Sequence, residues 1–113
     1  RVHNSGHWTS EGAQTGQFEN HVRAVLGLPL GDTGARGMSA MFNWIGELPD
    51  LSAVLQAVDA HWHDYGKQER PGRKVGHATV CAPDAGQLAA RLGGIARALG
   101  REAQVAPVLP ELG

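Results

Sequence analysis

With 113 residues, a formal net charge of -1 and a pI near 6.6, the chain is the size of one ordinary domain and carries no overall field for nucleic acid or an anionic membrane. Its single cysteine, Cys81, excludes an internal disulfide and fits a reducing compartment. No apolar run reaches membrane-spanning length and no signal-peptide pattern opens the chain; the abrupt start within a motif-like run, Arg1 to Trp8, leads to the expectation of a piece of a longer protein.

Arg1 to Gly12 is polar, interrupted by Gly6 and without periodicity, so it is expected to form a loop. Arg1, His3, Asn4, Ser5 and His7 are each able to contact an anion or a reacting group there, and Gly6 lets backbone approach it. The spacing of His3 and His7 suits a metal pair only on a helix, and Gly6 between them argues against one. Phe18, Val22, Val25 and Leu26 then fall at helical spacing, with Thr15 as the expected N-cap and Gly27 at the C-terminal end. The stretch from Leu28 to Gly37, rich in glycine and containing Pro29, reads as a linker and the candidate domain boundary.

Met38 to Gly46 is apolar on both faces with one Asn, which predicts a buried strand. Pro49 and Asp50 open a helix with Leu51, Val54, Leu55 and Val58 on one face, and His61 to Tyr65 is expected to form a strand with His61 and His63 on the same side. Two such histidines are able to bind a metal, but they are more often half-exposed surface residues. Pro71 and Gly72 form a tight turn presenting Arg70, Arg73 and Lys74, a grip for phosphate or carboxylate or simply a solvated basic bend. Val75 to Ala82 alternates as a strand, with Val75, His77, Thr79 and Cys81 on one face, and Gly76 beside His77 signals close approach by a neighbour.

Asp84 and Gln87 resemble a capping box for a last helix with Leu88, Leu92, Ile95 and Leu99 on its core face and Gly100 at its end. Gly93 and Gly94 inside it cost about 1 kcal/mol each relative to alanine, for which close packing on the sheet is one compensation. Arg101 to Gly113 is expected to be a weakly structured tail with a short edge strand near Val105 to Leu109. The order after the linker is strand, helix, strand, strand, helix, which predicts a small α+β unit with a mainly antiparallel sheet and two helices. A Gly-rich phosphate loop, a Cys-x-x-Cys pair, a nucleophile elbow and a carboxylate dyad are all absent from the sequence.

The run Arg1-Val2-His3-Asn4-Ser5-Gly6-His7-Trp8-Thr9, followed by Gln17-Phe18-Glu19 and Leu26-Gly27-Leu28-Pro29-Leu30-Gly31, resembles the end of the ATP-grasp domain of 5-(carboxyamino)imidazole ribonucleotide synthases. His61-Trp62-His63-Asp64-Tyr65-Gly66-Lys67 and Arg70-Pro71-Gly72-Arg73-Lys74-Val75-Gly76-His77 resemble the same family's C-terminal domain, in the family's order. The resemblance implies that residues 1–37 end an ATP-grasp domain and residues 38–113 form the terminal domain. It also implies a cytoplasmic enzyme of purine biosynthesis, homodimeric at full length, that carboxylates the amine of aminoimidazole ribonucleotide with bicarbonate. ATP is cleaved to ADP and phosphate with Mg²⁺, through carboxyphosphate.

Carried over by position, the resemblance makes Arg1 an anion holder beside the carboxylation centre and His3 a residue that orients substrate or assists proton movement. Asn4, Ser5 and Gly6 shape the same loop. Lys67, Arg73 and Lys74, with Arg70, reach the ribonucleotide phosphate, so that Arg1 and the cations of the bend are expected to converge on one ligand. The family's Asn-Glu pair, whose Glu binds Mg²⁺, precedes the position of Arg1, and its ATP-binding residues lie further upstream. The chain alone is therefore expected to bind neither ATP nor Mg²⁺ and to be catalytically silent, with no metal ligands of its own. The alternatives are a freestanding anion-binding domain formed by residues 38–113, and a metal protein using His3, His7, His61, His63 and His77.

Overall fold

The computed structural model describes residues 1–112, and the side chains of residues 1–110. The elements are a 3-10 turn at Asn4–Gly6, α1 (Thr9–Gly12), α2 (Gln17–Val25), β1 (Met38–Ile45), α3 (Leu51–Leu55), β2 (Ala60–Asp64), β3 (Lys74–Ala82), α4 (Ala85–Leu99), α5 (Glu102–Val105) and α6 (Leu109–Leu112). The α+β expectation holds: one three-stranded antiparallel sheet is ordered β1-β3-β2. β1 pairs with β3 from Met38↔Ala82 to Trp44↔Gly76, and β2 pairs with it from Ala60↔Val80 to Asp64↔Gly76.

Because β3 lies between the other two strands, it is buried almost throughout. One face, carrying Ala78, Val80 and Ala82, packs with Trp44, Val54, Leu88, Leu92 and Ile95 under α3 and α4. Val75 belongs to that cluster, not to the face of His77 as simple alternation had it. The register slips between Trp44 and Ile45, and such a bulge re-aims the extra residue. Gly76 is required where it stands, since a Cβ there would lie 2.5 Å from the His63 carbonyl oxygen.

The other face, with His77, Thr79 and Cys81, is covered by the N-terminal segment. Gly12 is pressed so closely onto the sheet that a Cβ would collide with Ser39 and Trp8. The segment expected to be a loop thus contains two short helical turns, because its peptide groups must find partners where the sheet excludes water. The linker is pinned back onto it: Ala13 and Ala35 form a bridge, and the Arg36 amide donates to the Gly12 carbonyl.

Several local expectations need correction. Thr15 does not cap α2; Gly16 occupies that position, and the Thr9 hydroxyl accepts from the Gln17 amide at 3.0 Å. The apolar stripe of α2 stays largely outside the core, with Phe18 50% and Val25 72% exposed. α3 stops at Leu55, so Val58 lies beyond it and is exposed, and only Val54 of the expected face is buried. The tail forms α5 and α6 in place of an edge strand.

α4 matches its expectation, with the Asp84 carboxylate accepting from the Gln87 amide at 2.8 Å and Gly100 closing it in a left-handed conformation. Gly93 and Gly94, however, do not pack on the sheet: a Cβ on either would meet nothing within 4 Å. Gly93→Ala and Gly94→Ala are therefore expected to stabilise the chain by up to about 1 kcal/mol each. Leu92→Ala, in the core, should cost about 2–5 kcal/mol. Urea titration of the three variants checks all of these.

Candidate functional site

The polar face of the sheet carries a row set by strand register. Asn43 of β1 and His63 of β2 both stand opposite His77 of β3. The His63 and His77 rings stack with centroids 4.4 Å apart, and His7 of the N-terminal segment stacks on His77 at 5.1 Å. Phe18 of α2 continues the pile beyond His7 at 5.6 Å. Three further bonds hold the segment down: Glu11 accepts from His63 Nε2 at 2.5 Å, Asn4 Nδ2 donates to Asn43 Oδ1 at 3.1 Å, and Gln17 binds the loop.

Gln17 acts as a clamp whose orientation follows from its partners. Its Oε1 accepts from the His3 amide at 2.9 Å, so its Nε2 must be the donor to the His3 carbonyl at 2.9 Å and to His7 Nδ1 at 2.8 Å. The proton of His7 therefore sits on Nε2. In the same way the Ser5 amide donates to His3 Nδ1 at 3.2 Å, which leaves the proton of His3 on Nε2.

The stack walls a cleft of about 410 Å³ together with Ser10, Asp64, Tyr65 and Lys67. Tyr65 Oη lies 2.7 Å from His77 Nδ1, and Lys67 Nζ lies 5.5 Å from the centre of the Tyr65 ring. The His77 Nε2 is buried without a partner among the described residues. A buried ring nitrogen left unpaired is costly. Burial first, and then His63 and His7, lower the pKa of His77 from 6.5 to about 4. Burial, His63, His3 and Lys74 lower that of His7 in this order, and burial raises that of Tyr65.

The residues singled out from the sequence are distributed over several places. Arg1 lines a neighbouring cleft of about 380 Å³ with Gln17, Asn20 and His21. Arg70 lines another at the bend with Glu47, Glu69 and Gly72. Lys67 lines the histidine cleft. Arg73 donates to the Gln68 carbonyl at 3.2 Å, and Lys74 is exposed at the start of β3. His3 caps the 3-10 turn by accepting from the Ser5 amide, and Gly6 abuts the Gln17 side chain. Arg1 and Arg70 therefore line different clefts, and the expected convergence on one ligand is not seen; Gln17, which walls the Arg1 cleft and bonds His7, links that cleft to the histidine cleft of Lys67.

Glu11, Gln17 and Tyr65 were not among the candidate site residues read from the sequence, and His7 and His77 were named only as a loop contact and as metal ligands. The pairing of His63 with His77 was the one usable signal, since both lie in predicted strands. The five-histidine metal arrangement does not form. The lone pairs of stacked rings lie in parallel planes, and none of His3, His7, His63 or His77 belongs to the cluster with metal-ligand spacing among the described residues.

A pH dependence follows from His77. Unfolded chain takes up its proton near pH 6.5 and folded chain only near pH 4, so the stability is full above 6.5 and falls as the pH drops through that window. The loss should reach roughly 2–3 kcal/mol, with His7 adding in the same direction. Urea unfolding at about pH 7 and about pH 4.5 checks it: His77→Gln should show a distinctly smaller decline than the wild type.

Comparison with known proteins agrees with the two motif runs. Residues 39–91 match the family described as "Phosphoribosylaminoimidazole carboxylase C-terminal domain". The chain is 58% identical over 92 residues to the N5-carboxyaminoimidazole ribonucleotide synthase of Pseudomonas aeruginosa, covering 81% of this chain and 26% of that protein. It superimposes on the N5-carboxyaminoimidazole ribonucleotide synthetase of Thermus thermophilus with a TM-score of 0.84 and 58% identity, covering 88% of this chain and 28% of the other. The Aspergillus clavatus N5-carboxyaminoimidazole synthase, solved in complex with ADP and 5-aminoimidazole ribonucleotide, gives a TM-score of 0.78 at 39% identity, over 89% of this chain and 30% of that one. The chain spans about a quarter of the length of the curated relatives it matches. On this domain match, sequence identity and shared fold, it belongs to the C-terminal domain family of the N5-carboxyaminoimidazole ribonucleotide synthases.

Proposed function

We propose that this chain is the C-terminal part of an ATP-dependent ligase that carboxylates the amine of 5-aminoimidazole ribonucleotide with bicarbonate in the cytoplasm, and that the full-length protein is a homodimer. Residues 1–37 close the ATP-grasp domain and residues 38–113 form the terminal domain. The observation that carries the reading is the stacking of His7 on His77, because it joins the two runs that define the family at one cleft. The ribonucleotide bound in the Aspergillus relative supplies the substrate class.

In this reading Lys67, which lines the histidine cleft, meets the ribonucleotide phosphate, and Lys74 and Arg70 reach it only if the bend closes toward that cleft, while part of the Arg73 guanidinium is already committed to the Gln68 carbonyl. The stacked rings offer a flat wall to the imidazole. Arg1 holds the bicarbonate-derived anion, whose developing charge a fixed cation stabilises in a dry site. His3, with its proton on Nε2 and Nδ1 held by Ser5, is suited to donate to the substrate and orient it, more than to accept a proton. Asn4, Ser5 and Gly6 keep that loop in shape. ATP, with Mg²⁺, supplies the phosphoryl group that activates bicarbonate, and its ligands lie outside this chain.

Two measurements test this. In the full-length protein, Lys67→Ala should raise the KM for aminoimidazole ribonucleotide roughly ten- to a hundred-fold, the loss of one charge-assisted bond, with the KM for ATP unchanged. The isolated chain should release no ADP from ATP in the presence of the ribonucleotide and bicarbonate. An unaltered KM in the variant removes the phosphate role of Lys67, and ribonucleotide-dependent turnover by the isolated chain overturns the division of labour.

A further inference from the structure

The polar sheet face has a second cluster, away from the cleft, at the other end of the β2–β3 ladder. Asp59 precedes β2, His61 stands opposite Thr79, and Cys81 lies two residues further along β3. The ladder is extended by one bond, from the Cys81 amide to the Asp59 carbonyl at 3.0 Å. Asp59 is the sole non-glycine residue with positive φ, 61°, among the described residues. That conformation is uncommon for any residue with a side chain, although Asp tolerates it better than most. Here its carboxylate lies beside the His61 ring, with Oδ1 2.6 Å from Nε2. The Cys81 thiol sits within 4.8 Å of both ligand atoms.

We propose that Asp59, His61 and Cys81 form a binding site for one divalent cation of the zinc class, with a fourth position open to water. The donor set is one thiolate, one imidazole and one carboxylate, a combination that selects zinc or cobalt over magnesium or calcium. Ligand atoms on a tetrahedral zinc ion are separated by roughly 3.3–3.8 Å, so the present spacing closes on an ion with small side-chain shifts. The ion takes the place of the hydrogen bond between His61 Nε2 and Asp59, with the imidazole keeping its proton on Nδ1 and the thiol losing its proton to water, and the thiolate and carboxylate balance its charge. Ser39 Oγ lies 3.5 Å from Cys81 Sγ and is placed to donate to the thiolate, the kind of outer contact that supports a metal ligand.

The rest of the fold leaves the site free. Cys81 is buried yet lies outside the main apolar cluster, it has no disulfide partner, and Asp59 and His61 remain open to water on one side. Burial first, with Asp59 and Glu11 adding, raises the thiol pKa, so metal uptake at neutral pH must release a proton. The nearest other carboxylate, Glu11, is engaged by His63. No residue assigned to the ribonucleotide takes part, so the site stands or falls independently of the proposed activity.

The test uses the chain without a histidine tag, stripped of metal and titrated with Co²⁺ alone. One equivalent should bind with a thiolate-to-cobalt charge-transfer absorption that Zn²⁺ abolishes by displacement, and a proton should be released. Cys81→Ser, checked by circular dichroism to be folded, should lose the absorption. His61→Gln and Asp59→Asn should each weaken binding at least about tenfold, while His21→Gln, an exposed histidine elsewhere, should leave it unchanged. Absence of the absorption in the wild type, its persistence in Cys81→Ser, or equal affinity in all variants overturns the site.

Discussion

β3 has no face that it can leave to water. A central strand flanked by hydrogen-bonded neighbours on both sides exposes its side chains above and below the sheet, and here both directions are covered. Below, the cover is apolar and ordinary, formed by α3 and α4 over Ala78, Val80 and Ala82. Above, it is polar, because the strand carries His77, Thr79 and Cys81 there. Burying such a face requires a partner able to stack and to hydrogen-bond, and the segment from Asn4 to Ala13 is that partner.

From that one requirement the candidate site follows. His7 reaches His77 because the segment must lie flat on the sheet, and Gly12 permits the closest approach. Glu11 and Asn4 then find His63 and Asn43 at the two neighbouring strands. Gln17 ties the loop to α2 and fixes which ring nitrogens carry protons. The packing that completes the fold is therefore the same packing that walls the cleft, and a change in the stack alters both. The stripe of α2 is an apolar surface that this logic leaves uncovered, with Phe18, Val22 and Val25 all exposed.

The polar face also explains why its chemistry is divided. His61 and His63 share a face but are drawn to different partners, His61 to the Asp59 carboxylate and His63 to the His77 ring. His63 therefore belongs with His77 and Tyr65, while His61 belongs with Asp59 and Cys81. One row of histidines supplies two separate places, one walled by aromatic rings and the other by a turn.

By itself the sequence was enough to determine the order of strands and helices from β1 to α4, the helix start at Asp50, the cap at Asp84, the end of α4 at Gly100, and through its motif runs the family. These are local matters, decided by period, capping chemistry and glycine. Contacts between distant segments were not legible in that way. Neither the bulge that turns Val75 into the core nor the open surroundings of Gly93 and Gly94 leaves a mark in the local pattern. The meeting of His7 with His77, and of Asp59 and His61 with Cys81, depends on strand register and on the path of the N-terminal segment across the sheet. Only the tertiary structure decided those, because stacking and ligand geometry arise between residues that are neighbours in space and strangers along the chain.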